Sequence, residues 1–165
     1  MTEDRASKIR AAIALVEDPE VPVTLSDLGV VRDVQIAGDT VTVLMRPTRL
    51  ACPARSEMAR RVEDAALAVD DSCTVSIEWE IAEWSGQDVS PTGQAVLVEF
   101  GYADPGSHTR TCPYCGSAAV RSEGAFGGAV CKVPFTCRNC GSTFDSLRGA
   151  SVPSHEAGRD PVRHP

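Results

Sequence analysis

The chain has 165 residues, 7 cysteines and a formal charge of −7 at pH 7. That length holds one ordinary domain and a small module, and leaves no room for a large catalytic domain with an elaborate pocket. Residues 1–104 carry 9 Lys and Arg against 19 Asp and Glu, a balance of −10, whereas residues 105–165 carry 7 against 4, a balance of +3. The acidic part repels phosphate backbones, and the weak basic surplus lacks clustered Arg and Lys, so no nucleic-acid partner is expected. No run is long and apolar enough to cross a membrane, and Met1-Thr2-Glu3-Asp4-Arg5 opens without the apolar stretch of a signal peptide. Together with an odd cysteine count, this points to a reducing cytoplasm and against a disulfide framework.

Ile9, Ala12, Ile13 and Val16 recur at helical spacing, with Thr2 as a cap and Glu3 and Asp4 suited to the first turn. Asp18-Pro19-Glu20-Val21-Pro22 stops that helix, because each proline lacks an N–H and turns the preceding residue away from α. The runs 30–36 and 40–45 alternate β-branched and polar residues around Ala37-Gly38-Asp39, which predicts an antiparallel hairpin. After the loop 46–51, residues 54–69 place Met58, Val62, Ala65, Ala66 and Val69 on one helical face. A third strand is expected over 74–79 and a short helix over 92–100, behind Ser90-Pro91. These elements give an α+β fold with helices on one face of a small sheet. Ala103-Asp104-Pro105-Gly106-Ser107 has the composition of a linker. The expected organisation is a first domain over 1–104, a second module over 108–148, and a disordered tail over 149–165.

The second module carries the strongest motif. Cys112-Pro113-Tyr114-Cys115-Gly116 and Cys137-Arg138-Asn139-Cys140-Gly141 are two Cys-x-x-Cys-Gly turns, each able to point two thiolates at one ion. Zinc is the default occupant, iron the alternative, and a structural role outweighs a reactive one. Cys131 is a fifth cysteine beside this set: a spare ligand, a swapped ligand or part of a hairpin strand. Cys52, in Ala51-Cys52-Pro53-Ala54, stands at a helix N-terminus between Arg49 and Arg55, which favours the thiolate; a buried apolar role is equally consistent with its position. Cys73 enters a strand and reads as core. Asp18 and Glu20 are either paired acids or caps of a rigid loop. No His/Asp/Glu constellation converges, so an enzyme in its own right is the least supported reading.

Three segments of the first domain resemble the MIP18 family, also called DUF59, used in iron–sulfur cluster assembly: Asp18-Pro19-Glu20-Val21-Pro22-Val23, Asp27-Leu28-Gly29-Val30-Val31-Arg32-Asp33-Val34, and Pro47-Thr48 ahead of Cys52-Pro53-Ala54. The second module, with Phe126-Gly127, Cys131-Lys132 and Phe144-Asp145 around its four cysteines, looks like the C-terminal part of the D-component family that accompanies the bacterial ring-1,2-phenylacetyl-CoA epoxidase. The resemblance implies a non-catalytic accessory protein that matures the iron–sulfur or iron centres of that oxygenase in phenylacetate catabolism. It makes Cys52 the thiol that holds iron or a cluster transiently. It also implies partners among the other epoxidase subunits, especially the iron–sulfur reductase or the di-iron component, and is compatible with a homodimer. The competing readings are an electron-transfer or structural component of the oxygenase with iron in the four-cysteine site, and a zinc-ribbon interaction protein. In the loop before Cys52, Arg46 and Arg49-Leu50-Ala51 bring more positive charge than such relatives carry.

Overall fold

The structure is a computed structural model that describes residues 2–124 and 127–149. Its first helix, α1 (Thr2–Ala14), begins at Thr2 itself and ends two residues before Val16. Ile9 and Ile13 are fully buried on its inner face. The two-proline loop then folds back on itself: Glu17 bridges Thr24, and the Asp18 N–H donates to the Val23 carbonyl at 3.0 Å. Strands β1 (Val31–Ala37) and β2 (Thr40–Met45) form the expected antiparallel hairpin, with a register irregularity between Val31 and Asp33. Helix α2 (Arg55–Leu67) crosses over to β3 (Thr74–Trp79), which pairs with β2 in parallel, so the sheet order is β1-β2-β3. Val41, Val43 and Met45 of β2 are fully buried, whereas the intervening positions are not. This alternation gives the sheet one buried face, as the period of two requires. The α+β expectation is met.

Helix α3 (Pro91–Glu99) is shorter than expected by one residue at its end and takes in Pro91 as its first residue, with Ser90 as cap through a 3.0 Å bond from the Gly93 N–H. It is docked by Asp27, whose carboxylate accepts the Ser90 hydroxyl at 2.6 Å and the Thr24 hydroxyl at 2.9 Å. Gly29 is needed beside it: its φ is +70°, and a Cβ there would lie 2.4 Å from the Asp88 carbonyl oxygen. Asp27-Leu28-Gly29 is therefore a scaffolding motif.

The second module is a three-stranded antiparallel sheet, β4 (Val120–Ser122), β5 (Lys132–Cys137) and β6 (Thr143–Leu147), in the order β4-β5-β6. Its own buried cluster is Ala103, Cys112, Phe135, Cys137 and Phe144, with the Phe135 and Phe144 rings stacked at 5.8 Å. The segment with linker composition is not a free tether at its start. Tyr102 bridges Asp145, the Ala103 N–H donates to the Asp145 carbonyl at 2.9 Å, and Ala103 is 1% exposed. At the far end of β6, Leu147 joins the core of the first domain. The apolar side chains at both ends of this joint outweigh the Pro/Gly/Ser signal that follows it. Residues 150–165, which make up nearly all of the expected tail, lie outside the described residues, as does Phe126.

Candidate functional site

The two Cys-x-x-Cys-Gly turns are built alike. Gly116 and Gly141 take φ of +72° and +77°. The Gly116 N–H donates to the Cys112 carbonyl and the Gly141 N–H to the Cys137 carbonyl, each at 2.9 Å. Cys112 and Cys137 in turn donate their N–H groups to the Ser117 and Ser142 carbonyls, again at 2.9 Å. Cys112 faces Cys140 at 3.7 Å between sulfurs and Cys115 faces Cys137 at 3.6 Å, and all four sulfurs lie within 4.8 Å of one another. A tetrahedral ion with metal–sulfur bonds of about 2.3 Å separates its sulfurs by about 3.8 Å, so the cage has the dimensions of a Cys₄ site. Asn139 Nδ2 lies 3.7 Å from the Cys115 sulfur, and Cys140 Sγ and Ser142 Oγ are 3.3 Å apart. Hydrogen bonding from Ser142 brings the Cys140 thiol down to about 6, whereas burial pushes Cys112 up to about 11. The cage is thus poised by its own backbone and hydroxyl donors to hold at least part of its sulfur as thiolate.

Cys131 does not belong to this cage. It directly precedes β5 while Cys137 ends that strand, and six residues of strand span roughly 20 Å. The spare and swapped readings of Cys131 at the four-cysteine site are excluded by that length. Instead its sulfur lies 3.6 Å from Glu20 Oε2, across the joint between the two modules. Lys132 Nζ donates to the Glu20 carbonyl at 3.0 Å, and its ammonium also stands 5.4 Å over the Tyr102 ring. Asp18 is a cap: its Oδ1 accepts the Glu20 and Val21 N–H groups at 2.8 and 3.0 Å.

Cys52 sits half-buried in the loop from β2 to α2, its N–H bonded to the Arg49 carbonyl at 3.0 Å. The expectation that position alone lowers its pKa is corrected here. Burial pushes the Cys52 thiol up, the Asp18 and Glu20 carboxylates push it further, and the Ala54 N–H and Arg55 only partly offset this. Arg55, one of the two arginines counted in its favour, is engaged elsewhere as well. Arg55 stacks over Trp79 at 4.5 Å and donates to the Leu50 carbonyl at 3.3 Å. Arg46 is held by Glu80 at 2.9 Å and Asp88 at 3.3 Å, so that part of the loop's extra charge is spent inside the fold, whereas Arg49 is exposed. Trp84 is an interior anchor whose Nε1 donates to the Leu28 carbonyl at 2.7 Å. Cys73 is buried as expected.

Residues 6–78 match the family model described as iron-sulfur cluster assembly protein, and residues 102–148 match the PaaD zinc beta ribbon domain. The chain joins an iron-sulfur cluster assembly domain to a PaaD-type zinc ribbon. It is 28% identical, over 86% of its length and 91% of the relative's, to the candidate D component of 1,2-phenylacetyl-CoA epoxidase from Escherichia coli strain K12. A second relative, the iron-sulfur cluster carrier protein of Mycobacterium leprae strain TN, is 32% identical over 47% of this chain but only 21% of its own length. A domain of unknown function DUF59 from Bacillus anthracis superposes on 58% of this chain and 92% of that one with a TM-score of 0.52 at 22% identity, which supports the fold of the assembly domain. Cys52, Asp18 and Glu20 fall within the first matched segment, and the cage and Cys131 within the second. Glu20 facing Cys131 is the contact that sequence reasoning missed; the two are 111 positions apart, and no local pattern couples them.

Proposed function

We propose that the protein is a non-catalytic accessory factor of a multicomponent phenylacetyl-CoA epoxidase, receiving iron or an iron–sulfur cluster and passing it to that oxygenase. The carrying observation is that one chain combines an assembly domain and a PaaD-type ribbon over most of the length of a candidate epoxidase component. The cargo is the iron or cluster, and the thiol of Cys52 is the group that meets it. Cys52 is suited to a loan: it is half-buried, and it borders an open hollow of about 630 Å³ lined by Leu50, Ala51, Arg55 and Trp79 among others. A thiol that keeps its proton until a cation displaces it binds weakly enough to release what it holds.

The ribbon's cage, Cys112, Cys115, Cys137 and Cys140, holds a resident zinc whose part is structural: it closes a module whose own buried cluster is only five residues. The working partners are the other epoxidase subunits, and the compartment is the cytoplasm; no described helix is long and apolar enough to cross a membrane. Two measurements test this reading. Anaerobically purified protein is expected to be colourless with one zinc per chain; visible charge-transfer absorption with one iron would move the cage to electron transfer. Cys52→Ser is expected to fold, keep its zinc and fail to restore activity to a co-expressed epoxidase. Full restoration by that variant would overturn the role of Cys52.

A further inference from the structure

The rim around Cys52 carries a charge that the rest of its domain does not. Residues 1–104 hold 9 Lys and Arg against 19 Asp and Glu. Among the described residues, every one of those 9 cations except Arg10, Arg49 and Arg55 is ion-paired to a carboxylate. Two of the three exceptions flank Cys52. The loop between them is a ridge with a hollow on either side. One hollow, of about 590 Å³, is lined by Arg49, Leu50, Ala51, Glu83 and Arg148 among others, and the other is the hollow of about 630 Å³ that holds Cys52 and Arg55. Leu50 and Ala51 border both, and Leu50 is 58% exposed.

We propose that this ridge is the docking surface for the protein that takes the cargo, and that the receiver lays on it an acidic segment with an apolar side chain, beside its own unfilled iron site. This rests on the reading of Cys52 as the thiol that meets the cargo, and adds the chemistry of the surface that relieves it.

Three observations carry the inference. The first is position. An ion passed from Cys52 is held at one moment by that sulfur and by a receiving ligand, which stand about 4–5 Å apart across two metal–ligand bonds. The receiver therefore covers the residues next to Cys52. The second is charge. Arg49, Arg55 and Arg148 line the two hollows against one carboxylate, Glu83, and neither Asp18 nor Glu20 lines them. A receiving iron site is an assembly of carboxylates, thiols or both, and until the metal arrives those groups leave it acidic. Such a surface is repelled by a domain of net charge −10 and attracted at this rim, which sets orientation as well as rate. The third is order. The Cys52 N–H is bonded to the Arg49 carbonyl at 3.0 Å, and Arg55 holds the Leu50 carbonyl at 3.3 Å while packing over Trp79. Leu50 is thus presented on a loop already tied down, so that docking costs little conformational entropy there. An exposed leucine between guanidinium groups suits an apolar side chain at the centre of a contact and carboxylates at its rim.

Each epoxidase component, purified without its metal, is titrated over immobilised full-length protein. One component is expected to bind wild type, with association slowing as salt is added. Arg49→Glu is expected to slow association about fivefold at low ionic strength and to match wild type at about 1 M salt, where the Debye length is about 3 Å. Leu50→Asp is expected to lose about tenfold or more in affinity at every salt concentration. Both side chains are exposed, so both variants are expected to keep the wild-type urea midpoint. Two controls repeat the changes elsewhere and are expected to bind as wild type. Arg10→Glu, beside β1, makes the same change in net charge, and Leu15→Asp replaces another leucine, 75% exposed. Binding by no component overturns the proposal, as does binding that Arg49→Glu and Leu50→Asp leave unaltered or that the controls weaken equally. Binding gained only when residues 150–165 are removed would give the ridge to the chain's own C-terminal segment, and a wild-type dimer broken by Leu50→Asp would give it to a second copy; each overturns it too. Restoration of a co-expressed epoxidase separates the two readings. Leu50→Asp restoring it as well as wild type, with Cys52→Ser failing, removes the docking surface and leaves Cys52 standing, whereas full restoration by Cys52→Ser removes the reading of Cys52 itself.

Discussion

The two modules are held together by different physics. The assembly domain buries a cluster that includes Ile9, Ile13, Leu25, Leu28, Val41, Val43 and Met45 with no exposure above 1%, and needs no metal to account for its fold. The ribbon has three strands, a stacked pair of phenylalanines and a buried cluster in which two of the five residues are cage cysteines. A core of that size does not offset the chain entropy of ordering some forty residues. In the reading proposed above, sulfur therefore has opposite tasks in the two parts: in the cage it makes up for a small core, whereas at Cys52 it sits half-buried beside a sufficient one.

The sharpest way to break this comparison is to remove the cage metal. Cys137→Ser, or a strong chelator on the wild type, is expected to take zinc from one per chain to none and to abolish hydrogen-exchange protection over β5 and β6. The free energy involved is on the order of 10 kcal/mol. Protection in β2 and α2 is expected to persist, and its collapse would mean that the assembly domain cannot stand without the ribbon. Next in size, Ile13→Ala removes a fully buried side chain from the other core and is expected to cost about 2–5 kcal/mol in urea unfolding, with zinc content unchanged. A matching loss of zinc would show that the two cores are one cooperative unit.

The smallest effect concerns acid. Asp70 is held down to about 2, first by hydrogen bonding from the Ser72 hydroxyl, at 2.6 Å, and then by Arg5, which also donates to the Gly38 carbonyl at 2.9 Å. Its folded pKa lies below the unfolded value of about 3.9, so its contribution is present above about pH 4 and lost as the pH falls toward 2. Asp70→Asn is expected to flatten the fall of the urea midpoint across that window, measured in the assembly domain's unfolding transition. An unchanged slope would place the acid sensitivity elsewhere.

Much of this was legible because it is local. Alternation in 40–45 and helical spacing through Met58, Val62 and Ala66 set the faces of β2 and α2, and the structure buries those same positions. The glycines after Cys115 and Cys140 announced left-handed turns, and both adopt them. Boundaries moved by a residue or two where capping decided them, as at Pro91. The expectation of a lowered Cys52 pKa failed for a reason sequence cannot supply. Arg49, Arg55 and a helix start are neighbours along the chain, but burial first, and then the charges of Asp18 and Glu20 more than thirty residues earlier, push the thiol up.

By itself the sequence determined the periodicities, the two cysteine turns and hence the order of an assembly domain and a metal-closed ribbon, because each of these is a matter of spacing within a few residues. Only the tertiary structure decided where Cys131 goes. A strand carries it away from the cage by the length of β5, and the docking of Leu147 and Tyr102 into the first core turns that end toward Glu20. Side-chain contacts between modules act through space, so which of the three readings of Cys131 to drop, and its contact with Glu20 111 residues away, became visible once the two modules were seen packed together.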